Sequence, residues 1–158
     1  MPVRFTVDEI LQTMSDTPGR LAELTAEATP AQLTTPPKAG EWSALEVLGH
    51  LRACADVWGD SIATMLAEDH PTIAAGNPRA WIEETDYLDL EFAPSLRAFA
   101  RQRKELLGVL DGLQPEDWER AATIVASSRL EKNVHSFGDR FARHDLTHID
   151  QIRRIVDG

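Results

Sequence analysis

The stretch from Phe137 to Ile155 constrains this chain more than any other. Phe137, Phe141, His144, His148, Ile152 and Ile155 recur at spacings of four, three, four, four and three. That is the core-facing stripe of an amphipathic helix. Two histidines therefore occupy positions where a helical bundle would place leucine. They stand one turn apart on the same face. A buried imidazole needs partners for its ring nitrogens. Either hydrogen bonds within the core satisfy each ring, or the two rings share a metal ion. The spacing alone favours the first explanation, and only a further histidine aimed at the same place would shift the balance.

The rest of the chain supplies three more helices. Thr6 and Glu9 form a capping box before Val7, Ile10, Leu11 and Met14. Asp16-Thr17-Pro18-Gly19 should interrupt this helix, yet Leu21 and Leu24 stay in phase. The pattern fits a kinked helix or two short ones, ended by Thr29-Pro30. Residues 30–41 read as a linker, held extended by Pro36-Pro37. Ser43 and Glu46 make a second capping box, with Trp42 placed to staple the start of a helix over residues 44–67. Its apolar stripe is Val47, Leu51, Cys54, Trp58, Ile62 and Met65, and His50 lies on the flank of that stripe. Cys54 reads as core packing, with metal ligation the lesser alternative.

Residues 68–90 form a long connection of the kind that carries function or partial order, able to cover the mouth of a site. His70 within it reads as a surface loop residue. A third helix spans residues 94–110 with Leu96, Phe99, Arg103, Leu106 and Leu110 on its stripe, ended by Asp111-Gly112. Pro115–Trp118 opens a helical turn. Thr123-Ile124-Val125 reads as a short strand or as loop, His135 as exposed, and Ser136 with Asp139 as the cap of the last helix. Four long amphipathic segments without a firm strand predict an all-α four-helix bundle, one domain over residues 1–158.

Charge narrows the partners. Sixteen basic against 26 acidic residues leave a net charge of −10. Nucleic acid and anionic membrane surfaces are therefore poor partners, and a small-molecule substrate is the expectation. The single cysteine permits no intrachain disulfide and no Cys-based zinc framework. No secretory signal and no apolar run of membrane-spanning length is visible, so the expected location is the cytoplasm.

His50 from the second helix and His144 and His148 from the fourth all face the bundle interior. Bundles build metal sites from such inward side chains on neighbouring helices. Three neutral imidazoles suit a divalent ion such as zinc, nickel, copper or iron, and leave at least one position open, as catalytic sites do. An open position admits water or a thiol, and the metal lowers the pKa of either. No phosphate-binding loop, nucleophile elbow, dinucleotide fingerprint or His-Glu-x-x-His motif accompanies them.

Gly40-Glu41-Trp42-Ser43, Glu46-Val47-Leu48-Gly49-His50-Leu51 and His144-Asp145-x-x-His148-x-x-Gln151-Ile152 together resemble the DinB/YfiT superfamily along nearly the whole chain. That resemblance implies an up-down-down-up bundle, frequent homodimers, and a metal triad mapping onto His50, His144 and His148, with zinc or nickel the leading ions. Its characterised relatives include S-transferases that use low-molecular-weight thiols, and a maleylpyruvate isomerase. Asp145 and Gln151 match the pattern, either to orient imidazoles or as ordinary interhelix or surface hydrogen bonding. Three functions follow: a metal-dependent thiol S-transferase as the leading expectation, a non-catalytic metal-binding or dimeric scaffold module, and a metal-dependent hydrolase.

Overall fold

Side-chain caps mark the start of three of the four long helices. The computed structural model describes residues 3–158. Helix α1 spans Val7–Thr25, and its Thr6–Glu9 capping box is present in both directions. A short helix α2, Pro30–Thr34, occupies part of the expected linker, capped by Thr29 and Gln32. Helix α3 spans Ala44–Ala67 behind the Ser43–Glu46 box. The crossover that follows carries strand β1 (Thr72–Ala74), a one-turn helix α4 (Pro78–Trp81) and two 3-10 turns, Ile82–Glu84 and Tyr87–Asp89. Helix α5 is Phe92–Asp111, two residues longer at its start than the pattern predicts, and Gly112 caps it. A one-turn helix α6, Pro115–Trp118, leads to strands β2 (Ala121–Val125) and β3 (Arg129–Asn133). Helix α7 closes the chain over Val134–Asp157.

Helix α1 packs on α5 and α7, and α3 packs on the same two, so α1 and α3 lie across the bundle diagonal. Cross-helix contacts give the directions. Phe5 N donates to Asp139 Oδ1 at 2.8 Å, and Thr17 lies twelve residues on beside Asp145, so α1 and α7 are parallel. His50 packs on His148 and Trp58 on Phe141, so α3 runs against α7. Arg52 meets Ser95 and Asp56 meets Gln102, so α5 runs with α3. The order is up-down-down-up. Two parallel neighbours, α3 and α5, need a connection that travels the bundle's length, and the 68–91 crossover is that connection.

Two apolar clusters fill the interior. One gathers Ile10, Met14, Trp58, Ile62, Met65, Trp118 and Phe141; the other gathers Leu21, Leu48, Leu51, Phe99, Ile149 and Ile152. Gly138 brings α7 close to α1, since a Cβ there would lie 3.1 Å from Trp118 and 3.2 Å from Ile10. Among the described residues no helix is long and apolar enough to cross a membrane.

One alternative is settled and four expectations change. Pro18 does not split α1, which continues through it as one helix. A proline at this position cannot bond the carbonyl of Met14, one turn back; Arg103 Nη1 donates to that oxygen instead, at 3.1 Å. The linker holds α2. Strands exist: β1 pairs parallel with β2, and β2 antiparallel with β3. The β3 strand holds a single apolar residue, Leu130, and is almost wholly exposed, so it has no apolar alternation to betray it. The last helix begins at Val134, with Asn133 as cap and Ser136 completing the box, so Asp139 is freed to hold Phe5 N. His135 is buried, 6% exposed, and its Nδ1 accepts from Arg4 Nε at 2.6 Å. His70, by contrast, is exposed as expected, and meets Glu131 on β3.

Candidate metal centre

Antiparallel packing of α3 on α7 brings the three histidines into one place. His50 Nε2 and His148 Nε2 each lie 3.0 Å from His144 Nε2. Nitrogens bound at 2.0–2.1 Å around a tetrahedral ion stand about 3.3 Å apart, so the three rings are spaced as ligands of one ion. No other group of three or more such donors is gathered this closely among the described residues.

The protonation pattern suits an ion. His148 Nδ1–H donates to Gln151 Oε1 at 2.7 Å, which places that ring's proton on Nδ1 and turns the Nε2 lone pair inward. One proton on His144 Nε2 serves two lone pairs 3.0 Å away poorly; a cation accepts all three. Burial disfavours the charged rings, and for His50 and His144 the neighbouring charges add to it. His50 is pushed down to about 4 by burial, then by His148 and Arg79. His144 is pushed down to about 3 by burial, then by His148 and His50. Burial lowers His148 as well, against the Gln151 bond. All three are neutral at pH 7, the state metal ligation requires.

Packing sets the ring orientations. Trp42 packs on His50 with centroids 5.1 Å apart, and Trp58 on His144 at 4.9 Å. Cys54 forms the floor, its Sγ 3.6 Å from His50 Nε2 and 3.9 Å from His144 Nε2. Burial pushes its thiol up to about 12, so it sits there protonated. On the solvent side a cleft of about 950 Å³ opens over His50 and His148, bordered by Lys38, Glu41, Arg79 and Arg154 among others. A separate groove between α1 and α5, lined by Asp8, Pro18 and Lys104 among others, includes none of the three histidines.

The family model described as the DinB superfamily matches residues 13–152. The chain belongs to the DinB superfamily. A protein of Oceanobacillus iheyensis named "putative metal-dependent hydrolase" is 24% identical over 153 residues, covering 96% of this chain and 88% of the relative. Among solved structures, YfiT from Bacillus subtilis superposes with a TM-score of 0.84 at 20% identity, over 98% of this chain and 90% of that one. YfiT is described as a probable metal-dependent hydrolase with an unusual four-helix bundle topology, and this DinB chain shares that fold.

The two residues matched beside the triad separate. Gln151 touches a ring of the cluster, that of His148. Asp145 touches none of them: it is 1% exposed and takes a bidentate ion pair from Arg103, Nη1–Oδ2 2.5 Å and Nη2–Oδ1 3.1 Å, with Thr17 Oγ1 donating at 2.8 Å. The roles of Trp58, Arg79 and Arg103 were not read from the sequence. Arg103 gave one signal, a charge on an apolar stripe with acidic Asp145 beside His144; Arg79 gave none, because it lies in the irregular crossover.

Proposed function

We propose that this DinB chain is a divalent-metal-dependent enzyme acting on a small molecule, with His50, His144 and His148 as the metal ligands. The observation that carries the reading is the convergence of three Nε2 atoms at 3.0 Å contacts, with the His148 proton held on the far nitrogen by Gln151. A divalent ion held there would supply Lewis acidity, lowering the pKa of a water or thiol at the open position. The chain's own part is orientation. Gln151 keeps one ring in the ligating tautomer, Trp42 and Trp58 fix the faces of two others, and Cys54 closes the inner side so that a guest arrives only from the cleft. Hydrolysis is the reaction we favour. It needs no cofactor beyond the ion, and it matches the name given to the Oceanobacillus relative.

Thiol transfer is the second reading. A cleft of about 950 Å³ is far larger than a water requires, and its rim holds Lys38, Arg79 and Arg154, which suits a thiol cofactor bearing carboxylates. Zinc and nickel remain the leading ions, since imidazole ligands serve both.

Elemental analysis of untagged protein tests the centre, with about one equivalent of metal expected and less than a tenth retained by His148→Ala. Turnover of an ester and amide panel after thorough thiol removal then supports hydrolysis. Turnover appearing only on thiol addition moves the assignment to transfer. Metal binding with neither activity leaves a non-catalytic module.

A further inference from the structure

The crossover from α3 to α5 has almost no core of its own. No residue from 72 to 91 is buried, yet α4 and both 3-10 turns lie against α3. A segment with so little apolar burial is held by the polar contacts it makes. Here they converge on one carboxylate. Asp56, on the flank of α3, accepts with one oxygen from Trp81 Nε1 at 2.9 Å and from Tyr87 OH at 2.6 Å. Gln102 Nε2 of α5 donates to the other oxygen. One side chain thus fixes both ends of the 81–87 stretch. Arg52 covers the Tyr87 ring, with Cζ 3.8 Å from its centroid.

The docked segment comes near His50 twice. A Cβ at Gly49, the residue before it, would lie 3.2 Å from Leu88 Cδ2 and 3.4 Å from Ile82 Cδ1, so the two turns press on α3 directly beside it. Arg79 of α4 lines the histidine cleft. Its Cζ lies 5.3 Å from the Trp42 ring centroid, and Trp42 packs on His50. Docking is also opposed. Three buried side-chain polar atoms lack a hydrogen-bond partner among the described residues, and two of them, Arg52 Nε and Gln102 Oε1, belong to the residues around Asp56. Water reaching them would relieve that cost. A segment held by one carboxylate, over groups that water would satisfy, is poised to lift.

We propose that residues 78–90 form a movable wall of the histidine cleft, latched to α3 by Asp56, and that Asp56 is a positioning residue acting on His50 through Arg79 and Trp42. The latch stands on its hydrogen bonds alone; its consequence for a metal-bound guest rests on the metal-dependent reading. Docked, the wall keeps Arg79 over Trp42 and Trp42 against His50. Lifted, it takes Arg79 out of the cleft and loosens the packing that sets the His50 ring.

Trypsin tests the latch, because Arg79 is the only lysine or arginine between Arg52 and Arg97. Cleavage after Arg79 in the native protein reports release of α4. The expected result is cleavage about tenfold faster in Asp56→Ala than in wild type. Tyr87→Phe, which loses one bond and keeps the ring under Arg52, should fall between them. Asp60→Ala, which removes an exposed carboxylate one turn along α3, should behave as wild type. Metal-loaded protein is then mixed with a chromophoric chelator. Positioning predicts several-fold faster metal release in Asp56→Ala at unaltered stoichiometry, and partial recovery in Asp56→Asn, which keeps an acceptor oxygen. Tyr87→Phe carries both measurements if Asp56→Ala fails to fold. Equal cleavage after Arg79 in wild type and variants overturns the latch, as does a parallel rise at Arg52 and Arg97, which marks general loosening. Faster cleavage with unchanged metal release overturns the positioning role. Wild type that takes up no metal removes the metal-dependent reading instead, and cleavage after Arg79 then decides the latch by itself.

Discussion

His144 and Asp145 are consecutive residues of α7, and each belongs to a polar cluster inside the bundle. A helix turns by about 100° per residue, which sends His144 toward α3 and Asp145 toward α1 and α5. The Asp145 cluster is closed to solvent and its charges cancel in place, with only Arg103 Nε left without a hydrogen-bond partner. Arg103 and Asp145 are 2% and 1% exposed, cancel each other's charge, and fill the gap that Pro18 leaves at the Met14 carbonyl. The histidine cluster is half-buried and reaches neutrality differently, by holding its rings deprotonated. Its lone pairs are left facing one another. A polar cluster whose charges cancel in place serves the fold, whereas one whose lone pairs converge without a donor invites a guest.

Mutation should separate the two clusters by which property it alters. Asp145→Leu leaves Arg103 buried without its partner, and loss of about 3–5 kcal/mol is expected from urea unfolding. The double variant Arg103→Met/Asp145→Leu should lose less than either single change, because burial of an unpaired charge is avoided. A cost under about 1 kcal/mol for Asp145→Leu, the range of a surface pair, would end the distinction from the structural side. His144→Phe should do the reverse. Metal uptake is lost, while the metal-free protein unfolds at nearly the same denaturant concentration. A loss near about 2 kcal/mol, the scale of a core deletion, would mean that the histidines hold the interior together as well.

The helices and the triad were legible because each rests on local regularity. Capping boxes at Thr6 and Ser43 marked two helix starts, and period alone carried His50, His144 and His148 to the interior. What stayed hidden depends on partners distant in sequence. Pro18 looks like a break until Arg103, 85 residues later, is seen to take its orphaned carbonyl. The β3 strand is written in Arg, Leu, Glu, Lys and Asn, which only its ladder with β2 makes into a strand. His135 looks exposed beside a helix start because nothing nearby announces that Arg4 will cover it. Gln151 and Asp145 matched one motif equally well, and only the rotation of α7 tells which one faces the three histidines.

Gln151→Ala sharpens the contrast at lower amplitude. The variant keeps all three histidines but frees the His148 proton to move between ring nitrogens. Loss of such an outer partner lowers metal affinity by about 10–100-fold, measured by competition with a chromophoric chelator. Gln151→Glu, which still accepts from Nδ1, should recover most of it. Unfolding of the metal-free variants should match wild type. An affinity unchanged by Gln151→Ala would mean that packing against Trp42 and Trp58 suffices to set the rings.

Acid should act gradually on the open cluster. An imidazole in the unfolded chain titrates near about 6.5, while the fold holds His50 down to about 4 and His144 to about 3. Between these values the unfolded chain carries protons that the folded chain refuses, so stability falls as pH falls. Above about 6.5 the contribution is flat; the decline runs through the mildly acidic range and ends once the folded rings protonate too. The melting temperature of metal-free protein followed from pH 7.5 to 4 should trace this decline, and His50→Phe/His144→Phe should flatten it. His135, also lowered by its burial, keeps its own slope in both proteins, so the difference between the two curves isolates the cluster. Parallel curves would mean that water reaches the three rings freely enough to protonate them in place, and the cleft would then be too wet to hold its guest by desolvation.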